Sequence, residues 1–116
     1  MTGRLAPRTD GNHKAVIQAL RDAGASVAST HGVHKGFPDC VVGIPTTPGD
    51  GETYLVEIKD GAKTVSRRTL TPDQVKFVEE WKGSPVVILL GETQAREWVQ
   101  RVQRKALKRS YAEHAS

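Results

Sequence analysis

Apolar residues recur along the chain with two different spacings, and the alternation of these spacings predicts an α/β fold. Some segments repeat apolar positions every three or four residues, as along one face of a helix, whereas others are short apolar runs bounded by glycine, proline and polar residues, as in strands. The predicted elements are a helix in 9–25, strands in 26–30, 39–44 and 53–59, a helix in 71–83, a strand in 84–91 and a helix in 92–110. The order α-β-β-β-α-β-α favours one α/β sheet with helices on both faces.

Local signals indicate where two of the helices start. Thr9 or Asp10 is the candidate N-cap of the first helix. The second helix has a stronger signal, with Thr71 as N-cap, Pro72 directly after it and Gln74 three residues after the cap. This spacing predicts a capping box, which by itself would account for the presence of Gln74.

The strand in 53–59 carries two charged residues on one face. Glu57 and Lys59 are two positions apart, so their side chains point to the same side of a largely apolar strand. Taken alone, they predict a solvated ion pair that contributes little to stability. The preceding strand begins with Asp39, and a hairpin across 43–53 would place Asp39 beside Glu57. The three residues together favour an active site over a surface ion pair.

Asp39 and Glu57 form a predicted metal site, because two neighbouring carboxylates repel each other unless a cation lies between them. Mg²⁺ is the expected cation, since it binds one or two carboxylates, keeps several waters and accepts phosphate oxygens. We expect Mn²⁺ to substitute for it. The backbone carbonyl of Ile58 is a candidate third ligand. Lys59 would stabilise the negative charge of a phosphate transition state or orient the attacking water.

Composition narrows the class of protein. The chain has 116 residues, which predicts one domain over 1–116, with a core at about 10–109 and flexible ends. Cys40 is the only cysteine, which excludes an internal disulfide and a cysteine-rich zinc site. No apolar run approaches the roughly 20 residues that span a bilayer, and the N-terminus lacks the apolar segment of a secretory signal. We therefore expect a cytoplasmic protein without a membrane-spanning part.

The formal charge of +4 is unevenly distributed along the chain. Residues 1–36 carry +3, residues 37–91 carry −2 and residues 92–116 carry +3. A polyanion attracted by the basic ends would meet carboxylates in the middle, and nucleic acid fits this arrangement. Lys35 is a candidate phosphate contact beside Gly36, whereas loop histidines such as His34 are more often solvated. The basic residues of the 61–69 loop could grip a backbone or could equally face solvent. The candidate nucleic-acid contacts are His34, Lys35, Lys63, Arg67 and Arg68.

Two segments resemble a known nuclease signature. The run FPDCVVG and, fourteen residues on, EIK look like the motif of the PD-(D/E)XK nuclease superfamily. The flanking segments GASVASTHGVHKGFPDCVVG and LTPDQVKFVEEWKG are similar to small phage and bacterial virus-type replication-repair nuclease (VRR-NUC) domains, and more distantly to archaeal Holliday-junction resolvases. The resemblance covers about residues 10–91. It implies a restriction-endonuclease-like fold with a mixed central sheet.

The same resemblance implies a function. It predicts a metal-dependent endonuclease that hydrolyses DNA phosphodiester bonds. Its expected substrates are branched, junction or flap DNA in phage or bacterial replication, repair or recombination. Asp39 and Glu57 would be metal ligands, Lys59 the catalytic lysine, and Gln74 would reach the site from the following helix.

One position departs from the family pattern and leaves alternatives open. Many relatives have a glutamate on the first helix, whereas this helix has none and leaves Asn12 as its candidate ligand, which favours a single metal ion. A nuclease-fold protein that binds or recruits DNA without cutting it is the alternative function. A homodimer that resolves branched DNA is a further hypothesis, because so small a chain covers little DNA.

Overall fold

The order of the observed elements is the predicted one. The structure, a computed structural model, describes residues 12–47, 49–62 and 69–115. The elements are α1 (His13–Asp22), β1 (Ser26–Ser29), β2 (Cys40–Thr46), β3 (Asp50–Ile58), α2 (Pro72–Glu80), β4 (Val87–Leu89) and α3 (Glu92–Ala115). The described residues thus form a mixed α/β fold with four strands and three helices, and the predicted α/β class is confirmed.

The four strands form one sheet in the order β1-β2-β3-β4. β1 pairs with β2 and β2 with β3 in antiparallel fashion, whereas β3 and β4 are parallel, so the sheet is mixed. The β2–β3 hairpin runs from the pair Cys40–Val56 to the pair Thr46–Asp50. β3 therefore begins three residues earlier than 53, because ladder hydrogen bonds to β2 outweigh the low strand propensity of its first residues.

The main core lies between one face of the sheet and two helices. α1 contacts both β1 and α3, and α3 contacts β2, so α1 and α3 cover the same face. Alternate residues of β2 and β3 point into this core, as the two-residue period of a strand requires. The largest completely buried side chains are Leu20, Ile44, Ile58, Leu89, Val16, Val42, Val56, Val99 and Cys40.

Helix α2 lies at the end of the second face, where the Gln74 side chain donates to Glu57, so the predicted cover of both faces is met only in part. None of its residues is fully buried. Its Phe77 contacts Phe37 of the β1–β2 connection, with ring centroids 5.0 Å apart, and stacks on Trp81. Residues on the sheet face of Glu57, such as Leu55, stay half-buried. The cover is partial because the apolar side of α2 packs on the β1–β2 connection.

The helix ends also differ from the predicted boundaries. α1 begins at His13, and Asn12 occupies the capping position without a side-chain capping bond. The candidate caps Thr9 and Asp10 lie outside the described residues. α3 continues to Ala115, where a flexible end had been expected after about 109. No helix of the described segments is both long and apolar enough to cross a membrane.

Candidate active site

The strand register brings Asp39 and Glu57 together. Cys40 pairs with Val56 across the antiparallel ladder, so the preceding Asp39 lies opposite Glu57, on the same face of the sheet. The Asp39 Oδ2 atom accepts a hydrogen bond of 2.7 Å from the backbone N–H of Ile58. Asp39 therefore closes the end of the ladder with its side chain, and its carboxylate is held at the position that the sequence predicted.

Glu57 is a charged side chain inside the protein. It is 3% exposed and is the one buried polar or charged residue among those that the structure describes. Its Oε2 atom accepts a 2.8 Å hydrogen bond from Gln74 Nε2 and lies 3.5 Å from Lys59 Nζ. Its Oε1 atom is buried and has no hydrogen-bond partner among the described residues. Leaving a buried carboxylate oxygen unpaired is costly, so this atom is where a cation, a water or a proton shared with Asp39 would be accommodated.

Burial and charge together make ionisation of Glu57 unfavourable. Loss of solvation raises the pKa of Glu57 from its ordinary 4.5 to about 7. The negative charge of Asp39 adds to this increase in pKa, and the ammonium group of Lys59 opposes it. A cation between the two carboxylates would lower the pKa of Glu57 again, because it favours the charged form.

Gln74 combines the two roles that the sequence left as alternatives. Its Oε1 accepts from the Thr71 N–H at 2.9 Å, and its own N–H donates to Thr71 Oγ1 at 3.2 Å, which completes the predicted capping box. The amide Nε2 is left free by the cap and donates to Glu57. The first turn of α2 thus orients the Glu57 carboxylate while it caps its own helix.

The start of α2 is also attached to the loop before Asp39. Gly36 has a positive φ of +86°, and a Cβ atom there would lie 2.7 Å from the Asp73 carbonyl oxygen. Lys35 Nζ lies 3.4 Å from the Asp73 carboxylate. Only glycine allows this close approach, so Gly36 helps to place Gln74 near Glu57.

The backbone N–H groups of Ile58 and Lys59 point to opposite sides of β3. The N–H of Lys59 donates to the Leu89 carbonyl at 2.9 Å, which ties β3 to β4. The N–H of Ile58 points the other way, to Asp39. Because the N–H and C=O of one strand residue point to the same side, the Ile58 carbonyl faces the Asp39 side of the strand. This direction suits its predicted part as a ligand.

A cleft of about 690 Å³ opens in front of these groups. It is formed by the start of α1, the β1–β2 connection, the end of β3 and the first turn of α2. The lining residues are His13, Ile17, Ser29, Thr30, His31, Gly32, His34, Phe37, Pro38, Asp39, Glu57, Ile58, Lys59 and Gln74. All four predicted catalytic residues therefore lie at one cleft.

Asn12 lies beside the cleft and does not line it. Its Nδ2 donates to the carbonyls of Lys59 at 3.0 Å and Leu90 at 3.1 Å, so the side chain joins α1 to the ends of β3 and β4. Its Oδ1 is buried without a hydrogen-bond partner among the described residues, and its metal contact stays a prediction. α1 instead presents His13 and Ile17 to the cleft. Sequence reasoning missed His13 because the rotation of α1 depends on its packing.

The two carboxylates at the cleft are ligands of the kind that would hold a magnesium ion. No group of three or more His, Cys, Asp and Glu side chains in the described segments is arranged to hold a metal. Mg²⁺ does not need such a group, since it binds through one or two carboxylates and keeps waters. Two adjacent carboxylates and the unpaired Oε1 of Glu57 match this requirement.

The predicted nucleic-acid contacts are only partly placed. His34 lines the cleft, and its Nδ1 lies 2.9 Å from the Lys35 carbonyl oxygen. The Lys35 side chain is 89% exposed on the same loop and does not line the cleft; its Nζ lies 3.4 Å from the Asp73 carboxylate. The other candidates, Lys63, Arg67 and Arg68, lie outside the described residues.

Comparisons with known proteins give no family for this chain, so a functional proposal rests on its sequence and the geometry of this site. The chain matches no protein-family model, no curated protein and no solved structure at a significant level.

Proposed function

We propose that this protein is a Mg²⁺-dependent endonuclease of the PD-(D/E)XK type with a restriction-endonuclease-like fold. The observation that carries the proposal is the half-buried Asp39 beside the buried Glu57, of which one carboxylate oxygen has no partner among the described residues and the other lies 3.5 Å from Lys59. A structural ion pair would not need the second carboxylate, the raised pKa of Glu57 or the position at a cleft.

Each residue of the set has a distinct part in phosphodiester hydrolysis. Asp39, Glu57 and the Ile58 carbonyl would hold Mg²⁺, which supplies positive charge for the phosphate and a water of lowered pKa. Lys59 stabilises the negative charge that develops on the phosphate oxygens as water attacks. Gln74 holds the Glu57 carboxylate in one orientation, as a hydrogen-bond donor behind a metal ligand does.

The proposed substrate is DNA with a branch, junction or flap, in phage or bacterial replication, repair or recombination. Support for a nucleic acid comes from the basic ends of the chain and from the exposed Lys35 beside the cleft. A homodimer with two cutting sites belongs to the same proposal. Light scattering at working concentration tests the dimer, and a strictly monomeric protein would count against it.

A metal-removal assay tests the proposed activity directly. Purified protein is incubated with flap, splayed, four-way and plain duplex DNA in the presence of Mg²⁺ or Mn²⁺. We expect strand cleavage with either ion, and none when EDTA removes it, because the two carboxylates need a cation to bind phosphate. Equal cleavage of any substrate with and without EDTA would contradict a metal-dependent mechanism.

A DNA-binding protein without cleavage activity is the second candidate function. It is favoured by one observation, that α1 presents His13 to the cleft where the resemblance would place an acidic residue. The two candidates differ in one measurement. In the presence of Mg²⁺, a DNA-binding protein would bind the DNA substrates and leave every strand uncut, whereas the proposed enzyme would cut at least one substrate.

Replacing Gln74 by alanine is expected to lower the cleavage rate by roughly 10- to 100-fold, the usual loss when the orienting partner of a metal ligand is removed. The reason is that Glu57 loses its donor at 2.8 Å. Single-turnover rates measured at saturating Mg²⁺ would show the loss.

Thr71→Ala is the matched control for Gln74→Ala. It removes the other half of the capping box and costs about 1 kcal/mol of stability, but it leaves the Gln74–Glu57 bond in place. We therefore expect its cleavage rate to stay near that of the wild type. Equal rate losses in the two variants would mean that Gln74 acts only through the helix cap.

A further inference from the structure

Helix α3 carries a row of positive charges on its solvent side. Arg101, Arg104, Lys105 and Lys108, named here the basic stripe, are spaced at i, i+3, i+4 and i+7, so they share one face of the helix. All four are exposed. The opposite side of the helix is occupied by core residues such as Val99 and Ala106.

The charges of the basic stripe have no ion-pair partner within residues 12–47, 49–62 and 69–115. Within the stripe the residues one turn apart are like-charged, and the one acidic residue at this spacing is Glu97, four positions before Arg101. Arg101 lies one turn before Lys105, and Arg104 lies one turn before Lys108. Like charges at this spacing destabilise a helix. The arrangement therefore has a cost that a merely solvated surface would not need.

Neutralised cations flank the stripe on the same helix. Arg96 pairs with Glu92 at 3.9 Å, and Arg109 pairs with Glu52 at 2.6 Å. The helix thus accommodates ion pairs before and after the stripe, and the stripe itself is left without them. A polyanion is the ligand that such a surface fits.

We propose that the basic stripe binds the phosphate backbone of a nucleic acid, at a surface separate from the cleft. The stripe runs about 10 Å along the helix, from the rise of 1.5 Å per residue, which matches roughly three phosphate steps of one DNA strand. No α3 residue lines the cleft, so the two surfaces are distinct. The inference goes beyond the proposed cleavage and stands whether or not the cleft cuts.

A nucleic acid fits this surface better than an anionic membrane. A helix that lies on a membrane inserts its apolar side into the lipid. Most apolar residues of α3, among them Trp98, Val99 and Val102, are packed in the protein core, and the exposed Leu107 and Tyr111 are too few to form an inserting face. Binding of the protein to lipid vesicles instead of DNA would therefore contradict the proposal.

Charge reversal on the stripe tests the inference. The double variant Arg101→Glu/Lys105→Glu is compared with Lys76→Glu/Lys82→Glu, which makes the same change in net charge at exposed residues of α2 and the segment after it. Binding of each protein to a labelled 20-base-pair DNA duplex is measured by fluorescence anisotropy in EDTA, over a series of salt concentrations. EDTA keeps cleavage out of the measurement.

We expect the stripe variant to bind DNA at least about 10-fold more weakly near 0.1 M salt. The slope of log binding constant against log salt concentration should fall by about 2 in magnitude, because each lost phosphate contact removes roughly 0.9 from it. The control is expected to keep most of the wild-type affinity and slope. Thermal unfolding of the stripe variant should stay close to that of the wild type, because attraction of the new glutamates to Arg104 and Lys108 offsets their repulsion from Glu97 and from each other.

Three results would overturn the inference. The first is wild-type affinity in the stripe variant. The second is an equal loss in both variants, which would assign binding to net charge alone. The third is wild-type protein that ignores duplex DNA but binds phosphatidylserine vesicles. If no substrate is cleaved but the anisotropy result is as expected, the proposed DNA-binding role of the stripe is supported and only the proposed nuclease activity is refuted.

Discussion

Replacing Lys59 by alanine is expected to reduce Mg²⁺-dependent DNA cleavage by at least about 100-fold, the size of effect seen when a group that stabilises transition-state charge is removed. The Lys59 side chain is only 11% exposed and lies 3.5 Å from the Glu57 carboxylate, so water replaces its charge poorly. We expect duplex binding to change little, because one cation among many phosphate contacts is lost. Single-turnover cleavage and anisotropy on the same DNA measure the two effects.

Two further variants separate this loss from an effect on folding. Lys82→Ala removes an exposed lysine away from the cleft and should cleave at the wild-type rate. Asp39→Asn should abolish cleavage as Lys59→Ala does, through loss of a ligand carboxylate, and its circular dichroism spectrum should stay that of the wild type. Full Mg²⁺-dependent activity in the folded Lys59 and Asp39 variants would refute the proposed site.

Glu57→Gln is expected to stabilise the metal-free protein at pH 8 while it abolishes cleavage. Burial raises the pKa of Glu57 from 4.5 to about 7, so its ionisation opposes folding. The glutamate's contribution to stability is complete below pH 4.5, where both states are protonated, and it is lost as the pH rises through about 7. The pKa difference corresponds to an upper limit of roughly 3 kcal/mol, and we expect a gain of about 1–3 kcal/mol from the neutral amide.

Urea unfolding at pH 4 and pH 8 checks this expectation. The free energies of unfolding of wild type and Glu57→Gln should converge at pH 4 and separate at pH 8. Added Mg²⁺ should stabilise the wild type at pH 8 and the variant much less, because the variant lacks the charged ligand. A variant less stable than the wild type at pH 8 in EDTA would show that the Glu57 charge is already compensated.

Glu52→Gln is a control for which the opposite change in stability is expected at pH 8. Hydrogen bonding from Tyr54, supported by Arg109, lowers the pKa of Glu52, so its charged form favours folding. The contribution of charged Glu52 to stability is present above the ordinary carboxyl pKa and is lost as the pH falls through the lowered pKa of Glu52 in the folded protein. At pH 8 we therefore expect Glu52→Gln to be less stable than the wild type, whereas Glu57→Gln is more stable.

The order and type of the elements could be predicted because they follow from local spacing. The capping box of Thr71 and Gln74 depends on residues three positions apart, and the structure confirms it. The shared face of Glu57 and Lys59 follows from the two-residue period of a strand. Asp39 could be placed beside Glu57 because a short hairpin leaves few registers, and the register observed is the expected one.

Other features of the site depend on how the elements pack, which local spacing does not contain. The second hydrogen bond of Gln74, to Glu57, requires α2 to dock near the end of β3. That docking depends on Phe37, Phe77 and the close approach at Gly36.

The sequence by itself determined the α-β-β-β-α-β-α order and the three charged residues at the strand ends, because helix and strand periods and a tight hairpin are local properties. Only the tertiary structure decided which helix faces meet the site and the solvent. It turned His13 toward the cleft, buried Glu57 and left the basic stripe without ion-pair partners in the part of the chain that the structure describes. Rotation and docking of a helix minimise the exposed apolar area of the whole molecule, so they depend on residues far apart in the chain.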